Sequence, residues 1–165
     1  MAHSGKYKIK KIHKYQGDPD KVTYRSSWER MCFAWCEKED TVKYWSSEEI
    51  VIPYYWDIDK RYHRYFVDLK ITFHNGKTIL VEIKPDKETT PPKNPNKSKR
   101  YIGEALTYVK NMNKWEAANS FAKDRGWDFQ IWTENTLKSM GIMKEQKGKL
   151  KPLTPMKPYR KKPKK

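Results

Sequence analysis

The clearest alternation of apolar and polar positions runs through residues 61–84. Arg61 to Phe73 and Lys77 to Lys84 both alternate, both are rich in β-branched and aromatic residues, and His74-Asn75-Gly76 lies between them. That pattern predicts two antiparallel strands joined by a tight turn. Two registers are open. With Asn75-Gly76 alone as the loop, Leu69 faces Glu82 and Val67 faces Lys84. With His74-Asn75-Gly76 as the loop and Gly76 left-handed in a G1 bulge, Phe73 pairs with Lys77. The second register sets Ile71 against Ile79, Leu69 against Val81 and Val67 against Ile83, so the apolar sets coincide on one face, as burial requires. We favour it. Its other face brings Asp68 opposite Glu82 and Phe66 opposite Lys84.

The flanking elements follow from period and punctuation. Trp28, Met31, Cys32 and Trp35 fall at helical spacing, predicting a helix capped by Ser26 or Ser27 and running to about Lys38. Thr41 to Trp45 and Glu49 to Trp56 read as a strand pair, with Pro53 marking an edge or a bulge, and Asp57-Ile58-Asp59-Lys60 as a turn. Residues 85–97 carry four prolines and read as an extended loop. Ser98 can cap a helix through about Lys110, and Asn111-Met112-Asn113 reads as an interruption. A second helical pattern, Trp115, Ala118, Phe121 and Ala122, ends at Arg125-Gly126. Trp127 to Trp132 alternates as a strand, and Thr133 caps a short helix, Glu134 to Met140, closed by Gly141. The order predicts an α/β fold: a mixed sheet with the hairpin central and helices on its faces.

Charge changes this picture at the ends. The 165 residues suit one domain with appended segments, and the net charge of +16 is unevenly placed. Residues 1–14 contribute +5, residues 144–165 contribute +9, and the 129 between them only +2. Basic arms of this kind contact nucleic-acid phosphates. The chain divides into a basic leader (1–22) without clear periodicity, which either wraps the surface or binds DNA, a body (23–143), and a basic tail (144–165) expected to be disordered until a partner orders it. No apolar run approaches a membrane span, and no secretory h-region opens the chain. Cys32 and Cys36, four apart on a predicted helix without a second pair or nearby histidines, read as reduced thiols rather than zinc ligands.

The favoured register has a chemical consequence. Opposed carboxylates on neighbouring strands repel, and one stays protonated unless a cation lies between them. A divalent ion with oxygen ligands resolves the conflict, and Lys84, two residues beyond Glu82, points to the same side. The competing reading is a salt-bridge cluster on an exposed sheet face. Glu29 sits in a first helical turn, where the macrodipole alone favours an acid.

Asp68 followed by Glu82-x-Lys84 resembles the PD-(D/E)XK nuclease pattern, with Val67 in place of the usual proline. Tyr44-Trp45-Ser46-Ser47-Glu48, Arg64-Tyr65-Phe66-Val67-Asp68 and Val81-Glu82-Ile83-Lys84-Pro85 resemble TnsA-type transposon endonucleases. Tyr24-Arg25-Ser26-Ser27-Trp28-Glu29, Val51-Ile52-Pro53-Tyr54 and Lys114-Trp115-Glu116-Ala117-Ala118 extend the similarity to the head-completion nucleases of contractile-tailed bacteriophages over most of residues 1–142. The resemblance implies a restriction-endonuclease-like αβββαβ core and a Mg²⁺- or Mn²⁺-dependent deoxyribonuclease. In it Asp68, Glu82 and the Ile83 carbonyl would hold the metal, Lys84 would position the attacking water, and Glu29 would complete the acidic site. It also implies double-stranded DNA as substrate, portal or neck proteins as partners, and a place in the phage head or neck after assembly in the host cytoplasm. Arg64 is a candidate phosphate clamp or an ion-pair partner of the acids, and Lys87, Lys93, Lys97, Lys99 and Arg100 are candidate DNA contacts. Glu48 and Glu49 read as surface. A virion protein without catalysis and a transposase-type subunit are the rival readings. Deleting residues 144–165 should lower the salt dependence of DNA binding, because fewer counterions are released. An unchanged slope of log affinity against log salt would remove that segment from the interface.

Overall fold

The computed structural model describes residues 3–93 and 98–145. Lys97 and the tail from residue 146 onward, both singled out by sequence, lie outside the described residues. The body is a four-stranded mixed sheet built from β3 (Val42–Ser46), β6 (Leu69–Phe73), β7 (Thr78–Ile83) and β8 (Asp128–Trp132), ordered β3-β6-β7-β8. The pairs β3–β6 and β6–β7 are antiparallel, and β7–β8 is parallel. Parallel pairing needs a long crossover, and α2 (Lys99–Asp124) supplies it. With α1 (Ser27–Lys38) ahead of β3, the order is the expected αβββαβ core, followed by the short α3 (Glu134–Ser139).

The three-residue turn is present. Phe73 N–H donates to the Lys77 carbonyl at 2.8 Å, Gly76 N–H to the Phe73 carbonyl at 3.0 Å, and Gly76 sits at φ +89°, where a side chain would be strained. Leu69 pairs with Val81 and Ile71 with Ile79, the register that apolar matching selected.

One part of that expectation needs correction. Residues 61–73 are not a single strand. β5 (Arg61–Phe66) ends before Val67, and β6 starts after Asp68. β5 pairs with β4 (Val51–Trp56), not with β7, so Phe66 lies opposite Val51 rather than Lys84. Val67 donates its N–H to Ile50 and accepts from Glu48 N–H, taking its backbone bonds from the chain before β4. For the same reason β3 and β4 are not a strand pair. They belong to different sheets, and β4–β5 is an inserted hairpin. Pro53 is tolerated because this two-stranded hairpin has only edges.

The two faces of the sheet carry two cores. Leu69, Ile71, Ile79, Val81 and Ile83 pack with Cys32, Phe33 and Cys36 of α1, and both thiols are free and buried. Leu80 packs with Ala118 and Ala122 of α2 and with Ile52, Tyr54 and Tyr65 of the hairpin. The small alanines let α2 approach the sheet closely. α2 also corrects an expectation: it runs unbroken through Asn111-Met112-Asn113. Asparagine costs a helix interior only a few tenths of a kcal/mol to about 0.7 kcal/mol, and packing of the C-terminal half outweighs that. Ser98 does cap it, accepting from Tyr101 N–H at 3.1 Å.

The leader wraps the surface. β1 (Gly5–Lys6) pairs with β2 (Thr23–Tyr24), Gln16 N–H donates to the Trp45 carbonyl, and Ile9, Tyr15 and Val22 join the α1-side core. Trp45, 1% exposed, meets the rings of Tyr7, Tyr15 and Phe33 at centroid distances of 6.2, 4.8 and 5.2 Å. Buried Glu37 accepts from Tyr7 Oη at 2.7 Å and from the backbone N–H groups of Lys10 and Lys11 at 2.7 and 2.9 Å. Glu37→Ala strands three donors, so it should cost about 2–3 kcal/mol in urea unfolding. Hydrogen exchange of the Lys10 and Lys11 amides should accelerate. A loss below about 0.5 kcal/mol would show that the leader is held by its aromatic contacts instead.

Candidate active site

The register decides what Asp68 and Glu82 can do. Ile79, Val81 and Ile83 point to the α1 side, so alternation sends Leu80 and Glu82 to the other, toward α2 and the hairpin. The paired register ends at Leu69 opposite Val81, so Val67 does not meet Ile83: it packs on the α2 side, and Asp68 lies in the bend ahead of β6, within the field of Glu82. Asp68 is pinned from the partner strand: its Oδ2 accepts the Ile83 N–H at 2.8 Å. Glu82 is buried and held at both oxygens. Lys84 Nζ stands 3.6 Å from Oε1, and Tyr65 Oη donates to Oε2. The Lys84 backbone is anchored by its N–H to the Trp132 carbonyl at 3.0 Å, so β8 fixes the lysine's starting point.

Glu29 arrives from the first turn of α1. Its N–H bonds Ser26 Oγ at 3.2 Å as the cap, and its Oε2 accepts the Arg25 N–H at 2.7 Å. Burial raises its carboxyl above the usual carboxylate range, the Arg25 N–H opposes this, and the charges of Glu48 and Glu82 add to the rise. Asp68 is pushed well above its ordinary value, by burial first and by the facing Glu82 second. The Ile83 N–H and Lys84 pull the other way, and Glu29 adds to the push. Three acids therefore share one field in which not all can ionise cheaply.

The remaining candidates divide. Arg64 does not share a face with Asp68. The strand break gives β5 its own sheet, where Tyr65 is the buried residue turned to the acids and Arg64 is exposed, its guanidinium over the Phe66 ring at 5.7 Å. Lys87, Lys93, Lys99 and Arg100 do come together, lining a groove of about 1300 Å³ between the loop after Lys84 and the first half of α2. The groove also carries Asp86, Glu88, Glu104 and Glu134, and Arg100 Nε is bonded to Glu104 at 3.1 Å. Its walls are therefore nearly neutral.

Sequence reasoning missed several residues here. Glu48 is not simple surface: it takes φ +55° and pairs through Oε1 with Arg25 Nε at 2.7 Å, beside Glu29. Tyr65 was legible only as an alternating aromatic, and its contact with Glu82 needs the hairpin to fold back. Lys114, on α2, lies over the Tyr65 ring and within the field of Glu82 and Asp68.

Chemically, two opposed carboxylates with an ammonium beside them suit a hard cation with oxygen ligands. Mg²⁺ is characteristically bound by one or two carboxylates, with water and substrate phosphate completing the shell. Among the described residues, no three or more His, Cys, Asp and Glu side chains form a ready cluster.

A pH effect follows. The Asp68 carboxyl titrates higher in the folded chain than in the unfolded one, so between those values the native state holds the extra proton and stability falls as pH rises. In chelator, Asp68→Asn should be more stable than wild type at about pH 8, and the two should converge below about pH 4. Parallel stability curves would mean that Asp68 carries no such strain.

The family described as TnsA-like endonuclease N terminal matches residues 39–134, which span β3 to the start of α3 and include Asp68, Glu82 and Lys84. The chain is also 43% identical over 147 residues to the head completion nuclease of Enterobacteria phage T4, covering 86% of this chain and 98% of that protein. With a family match across the whole four-stranded sheet and a relative 43% identical over most of the chain, the chain belongs to the TnsA-like endonucleases.

Proposed function

We propose that this chain is a metal-dependent DNA endonuclease that acts in the completion of phage heads. The observation that carries the reading is the Asp68–Glu82–Lys84 constellation, with Asp68 held by the Ile83 N–H and Glu82 by Tyr65 and Lys84. The relative's printed name supports the setting. Double-stranded DNA is the substrate, portal or neck proteins are the partners, and the phage head or neck is the destination.

Asp68, Glu82 and the Ile83 carbonyl would hold Mg²⁺ or Mn²⁺. A divalent ion bound there lowers the pKa of its water and polarises the scissile phosphate. The protein's own residues do the rest. The Ile83 N–H keeps Asp68 turned toward Glu82, and Tyr65 holds Glu82 in one rotamer, so the acids are preorganised. Lys84 orients the attacking water and offsets charge developing on the phosphate oxygens. Glu29, with its raised pKa, shares the acidic pocket and accepts or supplies a proton near the attacking water.

Supercoiled plasmid incubated with Mg²⁺ or Mn²⁺ should be nicked by wild type. Asp68→Ala and Lys84→Ala should each lower the rate roughly a hundredfold or more. Equal cleavage by all three would place the activity elsewhere. No cleavage by wild type with either metal would favour a virion protein that only binds DNA or a neck partner.

A further inference from the structure

α2 passes the candidate site with two lysines on its inner side. Lys110 Nζ lies 4.7 Å from the Trp56 ring centroid, and Lys114 Nζ lies 5.6 Å and 5.9 Å from those of Tyr65 and Tyr54. Four positions apart, they stand on one helix face about one 5.4 Å turn apart. The three rings belong to the inner face of the β4–β5 hairpin, and Tyr65 reaches Glu82 with its hydroxyl. Both lysines are only partly exposed, and neither has a carboxylate within ion-pair distance among the described residues. Burial holds the Lys114 ammonium below its usual pKa; the charge of Glu82 opposes this, Lys84 and Lys110 push the same way as burial, and Asp68 opposes it again. Aromatic faces hold an ammonium in place but do not neutralise it; at most about 2 kcal/mol comes from each such contact. Two partly buried cations beside the candidate site therefore have no ion-pair contact among the described residues, although Lys114 feels the charges of Glu82 and Asp68.

We propose that Lys110 and Lys114 form a phosphate-binding subsite that holds the DNA backbone next to the scissile bond, running from Glu82 along α2 toward the hairpin. The proposal rests on the nuclease reading of the Asp68–Glu82–Lys84 site and names where its substrate strand lies. The groove along the first half of α2, whose Gly103 and Thr107 lie on the same helix stripe as the two lysines, is the poorer phosphate track, since four acids face its four bases and Arg100 is already paired. Lys110 and Lys114 face aromatic rings and no acid nearer than the site itself.

The test is binding of a duplex oligonucleotide across a salt series, using the full chain carrying Asp68→Ala so that the DNA survives. Adding Lys110→Met or Lys114→Met should each reduce the slope of log affinity against log salt by about 0.9. Lys110→Arg and Lys114→Arg should keep the slope, which separates charge from packing. In the cleaving background, Lys114→Met should raise KM roughly tenfold with a smaller change in kcat, at an unchanged melting temperature. Unchanged slopes in both methionine variants would overturn the subsite, as would equal losses in the methionine and arginine variants. Either result leaves the nuclease reading standing if wild type still cuts plasmid. Absence of both DNA binding and wild-type cleavage would sink the two together.

Discussion

A glycine at φ +89° governs this molecule more than its small size suggests. Gly76 lets a three-residue loop close the β6–β7 hairpin, and that loop sets which side chains share a face. Shifted by one residue, the hairpin would bury Glu82 among the α1-side hydrophobics and turn Val81 toward α2, at the cost of both a buried charge and an apolar core position. The apolar matching that stabilises the sheet therefore also fixes the face of Glu82, and the bend ahead of β6 brings Asp68 into its field. Their repulsion is a cost of folding that the rest of the fold absorbs, through the Ile83 N–H, the Tyr65 hydroxyl and Lys84. Strain held by a structure in this way is typical of functional sites. Here it has an identifiable physical source in two carboxylates partly removed from water.

What could be read from sequence follows the reach of each signal. The hairpin register was legible because alternation on both arms had to agree, and α1 was legible because an apolar stripe coincided with a serine cap. The break at Val67-Asp68 was not, because alternation continues straight through it. Val67 is buried in either arrangement, and no glycine or proline marks the change of partner. A two-residue period reports which way a side chain points, not which strand it pairs with. That one blindness also misplaced Arg64 and joined β3 to β4. The continuity of α2 was hidden for a different reason. Two asparagines within three residues resemble a stop when read locally, while the packing that overrides them comes from β4, β7 and β8. Tyr65, Glu48 and Lys114 entered the site through tertiary crossings that no local pattern encodes.

The leader shows why basic composition is an uncertain guide to location. Its six lysines left open whether it binds nucleic acid or wraps the surface; Tyr7, Ile9, Tyr15 and Val22 fix it to the body, and Lys14 donates to the carbonyls of Glu37 and Glu39 at 3.2 and 2.9 Å. This attachment matters to the site. The leader packs on Trp45, Trp45 pairs with Ile71, and Ile71 lies on the strand that begins beside Asp68. It ends at β2, two residues before the Ser26 cap that presents Glu29. The leader thus holds both the far edge of the sheet and the approach to the helix-borne acid.

α2 divides the remaining work by its own two halves. Toward its C-terminus Trp115, Ala118 and Ala122 are buried, close enough to the sheet to leave no room for substrate. Toward its N-terminus Ile102, Leu106, Val109 and Met112 are exposed, and the opposite flank borders the charge-balanced groove. Only the junction between the halves faces the acids, and there the helix carries Lys110 and Lys114. A polyanion approaching Asp68 and Glu82 meets repulsion from three carboxylates unless cations line its path. Lys84 alone cannot supply that, being engaged with Glu82 at 3.6 Å. Lys110 and Lys114 at the α2 junction have no ion pair among the described residues, and Lys114 lies in the field of Glu82 and Asp68, so on the proposed reading the helix crossing serves the chemistry as well as connecting β7 and β8.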